Sequence, residues 1–132
     1  MSGGSGYLST AWDNTVDWEL SCDIMFSADA CGITIIKPSE TSRDKNELML
    51  TRGNIFKYVN GSSTVQTGCS LTNNNNWYSL KITKSNGELT YNANNITQTV
   101  NWSLLSTLTG LCIGVDSWGA TASIKNIVVK PL

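Results

Sequence analysis

The chain has 132 residues, enough for one domain and one core, with 9 basic against 10 acidic residues and no histidine. A net charge of −1 without a basic run gives no electrostatic footprint for phosphate backbones or anionic bilayers, which argues against nucleic acid and a charged membrane surface as partners, and no apolar stretch approaches the ~18 residues that membrane insertion needs. Asn, Ser and Thr make up 45 of the 132 residues and charged residues only 14%, a composition that suits strands and turns rather than a helical bundle.

Met1-Ser2-Gly3-Gly4-Ser5-Gly6 reads as an initiator and a flexible linker or engineered scar, so residues 1–6 are set apart and 7–132 are expected to form a single domain. Tyr7 to Trp12 suggests a short edge strand and Asp13-Asn14 a turn. From Val16 to Phe26 the chain alternates: Trp18, Leu20, Cys22, Ile24 and Phe26 on one face, Glu19, Ser21 and Asp23 on the other, the pattern of a half-buried strand. Cys31 to Lys37 is β-branched and closed by Pro38, and residues 38–46 form the longest loop. Glu47–Thr51 and Asn54–Asn60 predict a hairpin around Arg52-Gly53, and Thr64–Leu71 a further strand.

Four consecutive asparagines, Asn73 to Asn76, compete with the backbone for hydrogen bonds and predict a loop. Trp77 to Lys84 then alternates, Ser85-Asn86-Gly87 turns, and Glu88-Leu89-Thr90-Tyr91 returns, a strong hairpin signal. Ile96–Val100, Leu111–Val115 and Ala120–Lys130 complete the strands, and Ser103–Ser106 is the one helix candidate, a single turn. Ten or eleven short strands at regular spacing predict an all-β, two-sheet antiparallel sandwich or jelly roll. The polar phases of strands at 19–23, 79–83 and 123–125 would share one outer sheet face.

Four of these segments resemble, in order, the laminin-G and concanavalin-like lectin sandwiches. Trp18 to Phe26 is similar to their early strand and the Trp77 hairpin to their Trp, strand, polar turn and strand. Leu111-Cys112-Ile113-Gly114-Val115 looks like their leucine-x-isoleucine-glycine strand, and Ser123 to Val129 like their closing strand. The resemblance covers residues 16–130 and implies a jelly roll whose relatives include adhesion modules, carbohydrate-binding modules, phage tail modules, glycoside hydrolases and lyases.

Catalytic chemistry finds little support in the residues. Without histidine no Ser-His-Asp or Cys-His arrangement exists. The one close carboxylate pair on a strand face, Glu19 and Asp23, would stand about 13 Å apart, too far for glycoside hydrolysis, and reads as a solvated face pairing with Lys81 or Lys125. Cys22, Cys31, Cys69 and Cys112 lack metal-site spacing; they allow two disulfides in three connectivities, while the apolar phase of Cys22 and Cys31 favours buried thiols.

Sugar modules stack aromatics on pyranose rings, and five tryptophans supply them. Trp18 lies on the apolar phase and Trp77 is expected to pack, as its counterpart in the resembling domains does. Trp118 and Trp102, in or beside turns, and Tyr58, on the phase of Phe56, are the ligand candidates, with Asp116 as a polar partner. No cofactor is required, but the resemblance implies that calcium fits such domains, with Asp13, Asp29 and Asp116 as weak ligand candidates beside Asn14 and Asp17. The expectation is a non-enzymatic glycan-binding or adhesion module, extracellular, on a cell surface or on a virion, part of a larger protein or a homo-oligomer. The alternatives are a structural module of a larger assembly and, behind it, a small hydrolase or lyase.

Overall fold

The computed structural model describes residues 4–7, 10–40 and 44–132, the first group as backbone alone. In chain order the strands are β1 (Gly4–Tyr7), β2 (Trp12–Asp13), β3 (Trp18–Phe26), β4 (Cys31–Ile36), β5 (Glu47–Leu50) and β6 (Ile55–Val59). Then follow β7 (Ser62–Gln66), β8 (Tyr78–Ser85), β9 (Glu88–Ala93), β10 (Ile96–Val100), β11 (Gly110–Ser117) and β12 (Ala122–Pro131). One sheet runs β1-β11-β4-β5-β6-β7, with β2 also on β11, and the other runs β10-β9-β8-β3-β12. All pairings are antiparallel.

Alternation drives this arrangement. The apolar phase of β3 is fully buried and meets Ile33 and Ile35 of β4, Leu48 and Leu50 of β5, and Leu111 and Ile113 of β11 in one core. The expected polar outer face is present, because β3, β8 and β12 are neighbours in one sheet. On it Glu19 pairs with Lys81 at 3.8 Å and with Lys130 at 3.3 Å, and Asp23 accepts from Ser79 and Asn126. Lys125, the other partner expected for this face, stands over the Trp77 ring instead, 4.0 Å from its centre.

Asparagine chemistry sets the turns. Among the described residues, six of the seven non-glycine residues with positive φ are asparagines, the residue whose short amide best tolerates that region. Asn86 and Gly87, at φ 54° and 76°, form the tight turn of the β8–β9 hairpin. Asn126, at φ 57°, sits in the bulge that shifts the register of β12 between Lys125 and Val128.

Several expectations are corrected. Gly4, Ser5 and Gly6, set apart as linker, pair along β11, since a ladder needs only the backbone groups they supply. The seventh strand starts at Ser62 and stops at Gln66 rather than spanning Thr64–Leu71. Residues 103–106 form no helix; bonds from Leu105 to Trp102 and from Thr107 and Leu108 to Leu104 close a turn. The four cysteines, whose pairing the sequence left open, are buried and free.

Candidate functional site

Strand β6 sends its side chains to two different places. Ile55 is in the core, while Phe56 and Tyr58 point to the outer face of the larger sheet, as the alternation requires. Their rings lie 6.4 Å apart at an interplanar angle of 24°. With Met49, Asp44 and Trp118 they line a pocket of about 210 Å³. Trp118 is 37% exposed. It follows the end of β11, in a turn pinned by one acceptor: the N–H groups of Trp118, Gly119 and Ala120 all donate to the Ala30 carbonyl. A side chain at Gly119 would stand 2.9 Å from the Ala30 methyl, so any larger residue there would have to shift the turn.

Two carboxylates lie behind the aromatics. Asp116, two residues before Trp118, is fully buried, and so is Glu47 at the start of β5. Oxygens of Asp44, Glu47 and Asp116 all lie within 4.8 Å of one another. Burial pushes the Glu47 carboxyl up to about 7, and the charges of Asp116 and Asp44 add to that rise. The Asp44 N–H, donating to Glu47 Oε1 at 2.9 Å, opposes it. Three hard oxygen donors this close fit a divalent cation such as calcium, whose charge would offset the burial of the Glu47 anion.

Of the residues expected at the site, Tyr58 and Trp118 come together, and Asp116 lies buried in the acidic group. Trp102 does not join them. It is 4% exposed, and its indole N–H donates to the Tyr58 carbonyl at 3.2 Å, because the turn after β10 folds it onto the core. Trp77, expected to pack, is 43% exposed, with Lys125 over its ring. The calcium candidates separate: Thr15 binds Asp13 through hydroxyl and N–H, and Arg52 pairs with Asp29 at 2.8 Å. Among the described residues only Asp116 of the three belongs to a metal-compatible group. Sequence reasoning missed Glu47, although a lone acid opening the otherwise apolar Glu47-Leu48-Met49-Leu50 was the available signal.

No protein-family profile matches this chain, and no curated protein matches it by sequence. Solved structures do. It superimposes on the carbohydrate-binding module CBM66 of Bacillus subtilis with TM-score 0.67 and 15% identity, over 98% of this chain and 82% of that one. The fold is the concanavalin-like jelly roll. A homodimeric agglutinin from chicken liver matches with TM-score 0.59 and 8% identity, over 97% of this chain and 99% of that one. An alginate lyase from Pseudomonas aeruginosa matches with TM-score 0.61 and 13% identity, over 90% of this chain but 66% of its own length. This jelly roll therefore carries sugar binding in some proteins and sugar cleavage in others, and the local site must decide. Among the described residues, no helix is long and apolar enough to cross a membrane.

Proposed function

We propose that this chain is a non-catalytic glycan-binding module that stacks one sugar ring against Trp118 and Tyr58. The observation that carries the reading is the convergence of Trp118, Tyr58, Phe56 and Asp44 on one small pocket. A flat aromatic takes the apolar face of a pyranose, and a carboxylate beside it fixes hydroxyls. The pocket suits a single ring, so affinity per site is weak and is raised by multiple copies within a larger adhesive, secreted or phage-tail protein. Calcium, where it binds, is held by Asp44, Glu47 and Asp116, whose oxygens would be neutralised and fixed beside the sugar.

A glycan array probed with the wild-type chain and with Trp118→Ala, each with calcium and with chelator, tests this. Selective binding of one sugar class that disappears in Trp118→Ala is the expected result, and loss on chelation assigns the cation. Absence of binding in every condition replaces this reading with a structural module of a larger assembly.

One observation favours a second reading. A buried glutamate with a raised pKa beside two further carboxylates is the arrangement by which glycosidases make a general acid. Against it, Glu47 and Asp116 are both buried, so a glycosidic oxygen has no path to Glu47. Release of reducing ends from the array-selected glycan, abolished by Glu47→Gln, would establish the enzyme.

A further inference from the structure

Over most of the sandwich, the side chains that face between the sheets are apolar, as with Leu20 and Ile24 of β3 or Leu80 and Ile82 of β8. The β6–β7 edge breaks the rule. Its register sets Lys57 opposite Thr64 and Val59 opposite Ser62, and these four line one cleft of about 640 Å³. The apolar residue of β7, Val65, points the other way and is 50% exposed. The inward phase of β7 is therefore polar, and with Lys57 of β6 it faces a cleft, while Ile55 and Val59 on the same phase still pack on the core.

The cleft runs between the edge of the larger sheet and the turns of the smaller one. Its floor includes Leu89, Val100 and Trp102, all buried, and its rim includes Asn86, Glu88, Asn101 and Ser103, all exposed. A strut beside it ties the two sheets. Gln66, on the same phase as Ser62 and Thr64, donates to Gln98 Oε1 at 2.6 Å and to the Thr99 carbonyl at 2.9 Å. Gly68 leaves room for this strut: a side chain there would meet Gln98 Nε2 at 2.3 Å.

We propose that this cleft is a second binding site, separate from the Trp118 face, and that it takes a short neutral oligosaccharide. Its volume lies in the ~300–1,000 Å³ range of small-molecule sites. The apolar floor suits the C–H face of a sugar, and the rim offers hydroxyls from Ser62, Thr64 and Ser103 and carboxamides from Asn86 and Asn101. Lys57 and Glu88 are its one cation and one anion, so the site carries no net charge to hold a phosphorylated, carboxylated or cationic ligand. An acyl chain would need an apolar roof, and Lys57, Ser62 and Thr64 make the roof polar. The class of ligand follows from this rim and does not depend on the Trp118 site.

The test is a titration of the ¹⁵N-labelled full chain with cellotriose, maltotriose and mannotriose, and with trigalacturonate and a glucosamine trimer as charged arms. A neutral trisaccharide is expected to shift the amides of Ser62, Thr64, Gly87 and Asn101 saturably. Asn101→Ala should weaken that binding about fivefold, the loss of one hydrogen bond. Thr64→Trp, an exposed position where an indole fills the cleft, should weaken it further, and Trp118→Ala should leave it unchanged. Shifts confined to residues around Trp118 and Tyr58 would overturn the second site and leave the first standing. Cleft shifts from a charged trimer alone would overturn the neutral class, and no cleft shift from any sugar would overturn the proposal.

Discussion

Strands β3 and β7 lie in opposite sheets and read in opposite phase. In β3 every second residue from Trp18 to Phe26 is buried and apolar, whereas in β7 the inward positions Ser62 and Thr64 are polar and exposed. The first strand specifies the fold, because a one-residue slip would turn five apolar side chains into water. The second cannot contribute to a core, and its residues are held by backbone pairing to β6 and by the Gln66 strut. Regular alternation marks what holds the sandwich together, and the place where it inverts marks space left open between the sheets.

The comparison predicts a steep gradient of mutational cost. Leu20→Ala, in the centre of β3, removes a fully buried side chain from the core and should cost about 2–5 kcal/mol. Ser62→Ala should stay within about 0.5 kcal/mol, as at other exposed positions. Urea unfolding of both variants measures the difference. Equal costs would mean that β7 is as much a part of the core as β3.

The acidic group departs from alternation in another way, by burying charge on the outer face of the larger sheet. Burial raises the Glu47 carboxyl from an ordinary 4.5 to about 7, so it keeps its proton to higher pH in the folded chain. The folded state therefore binds the proton more tightly than the unfolded chain. This contribution is complete below about 4.5 and lost as pH rises through about 7, roughly 3 kcal/mol across the window. Stability measured between pH 4 and pH 8 in calcium-free buffer should fall in the wild-type chain and lose most of that slope in Glu47→Gln. An unchanged slope in the variant would move its origin to another group.

Close packing of that same face should also be visible at Gly32. A side chain there would stand 2.6 Å from Met49 Cγ and 3.2 Å from the Leu50 carbonyl. Met49 is flexible but buried, so Gly32→Ala should cost about 1–3 kcal/mol through overpacking. An unchanged melting temperature would show that Met49 swings away freely into the aromatic pocket, and that this pocket is softer than the core beneath it.

Much of the fold was legible because it rests on local signals. The period of two in β3, the Asn-Gly turn at 86–87 and the segments similar to concanavalin-like strands each needed only neighbouring residues. The site was legible in part. Tyr58 and Trp118 stood out as aromatics in an alternating strand and a turn, but their meeting depends on β11 and β6 lying in one sheet, a contact across 60 residues of chain. Trp102 was misplaced because a turn does not reveal which way it folds, and here it folds inward onto the core. Glu47 and Asp116 were out of reach as a pair, since their approach needs the registers of β4 with β5 and of β4 with β11 together.

The finest test of the inverted edge is Thr64→Val, a substitution that keeps the shape and exchanges a hydroxyl for a methyl. In the core such a methyl gains about 1 kcal/mol from burial, provided the lost hydroxyl leaves no partner behind. Thr64 is exposed, and its inward face meets the cleft rather than another side chain layer. The substitution should therefore change unfolding free energy by less than about 0.5 kcal/mol. A gain of a full kcal/mol would mean that the sheets close over Thr64 in solution, and the cleft would then be a packing gap instead of a site. Neutral stability together with weaker trisaccharide binding would separate the two roles of this strand: pairing carried by its backbone, recognition by its hydroxyls.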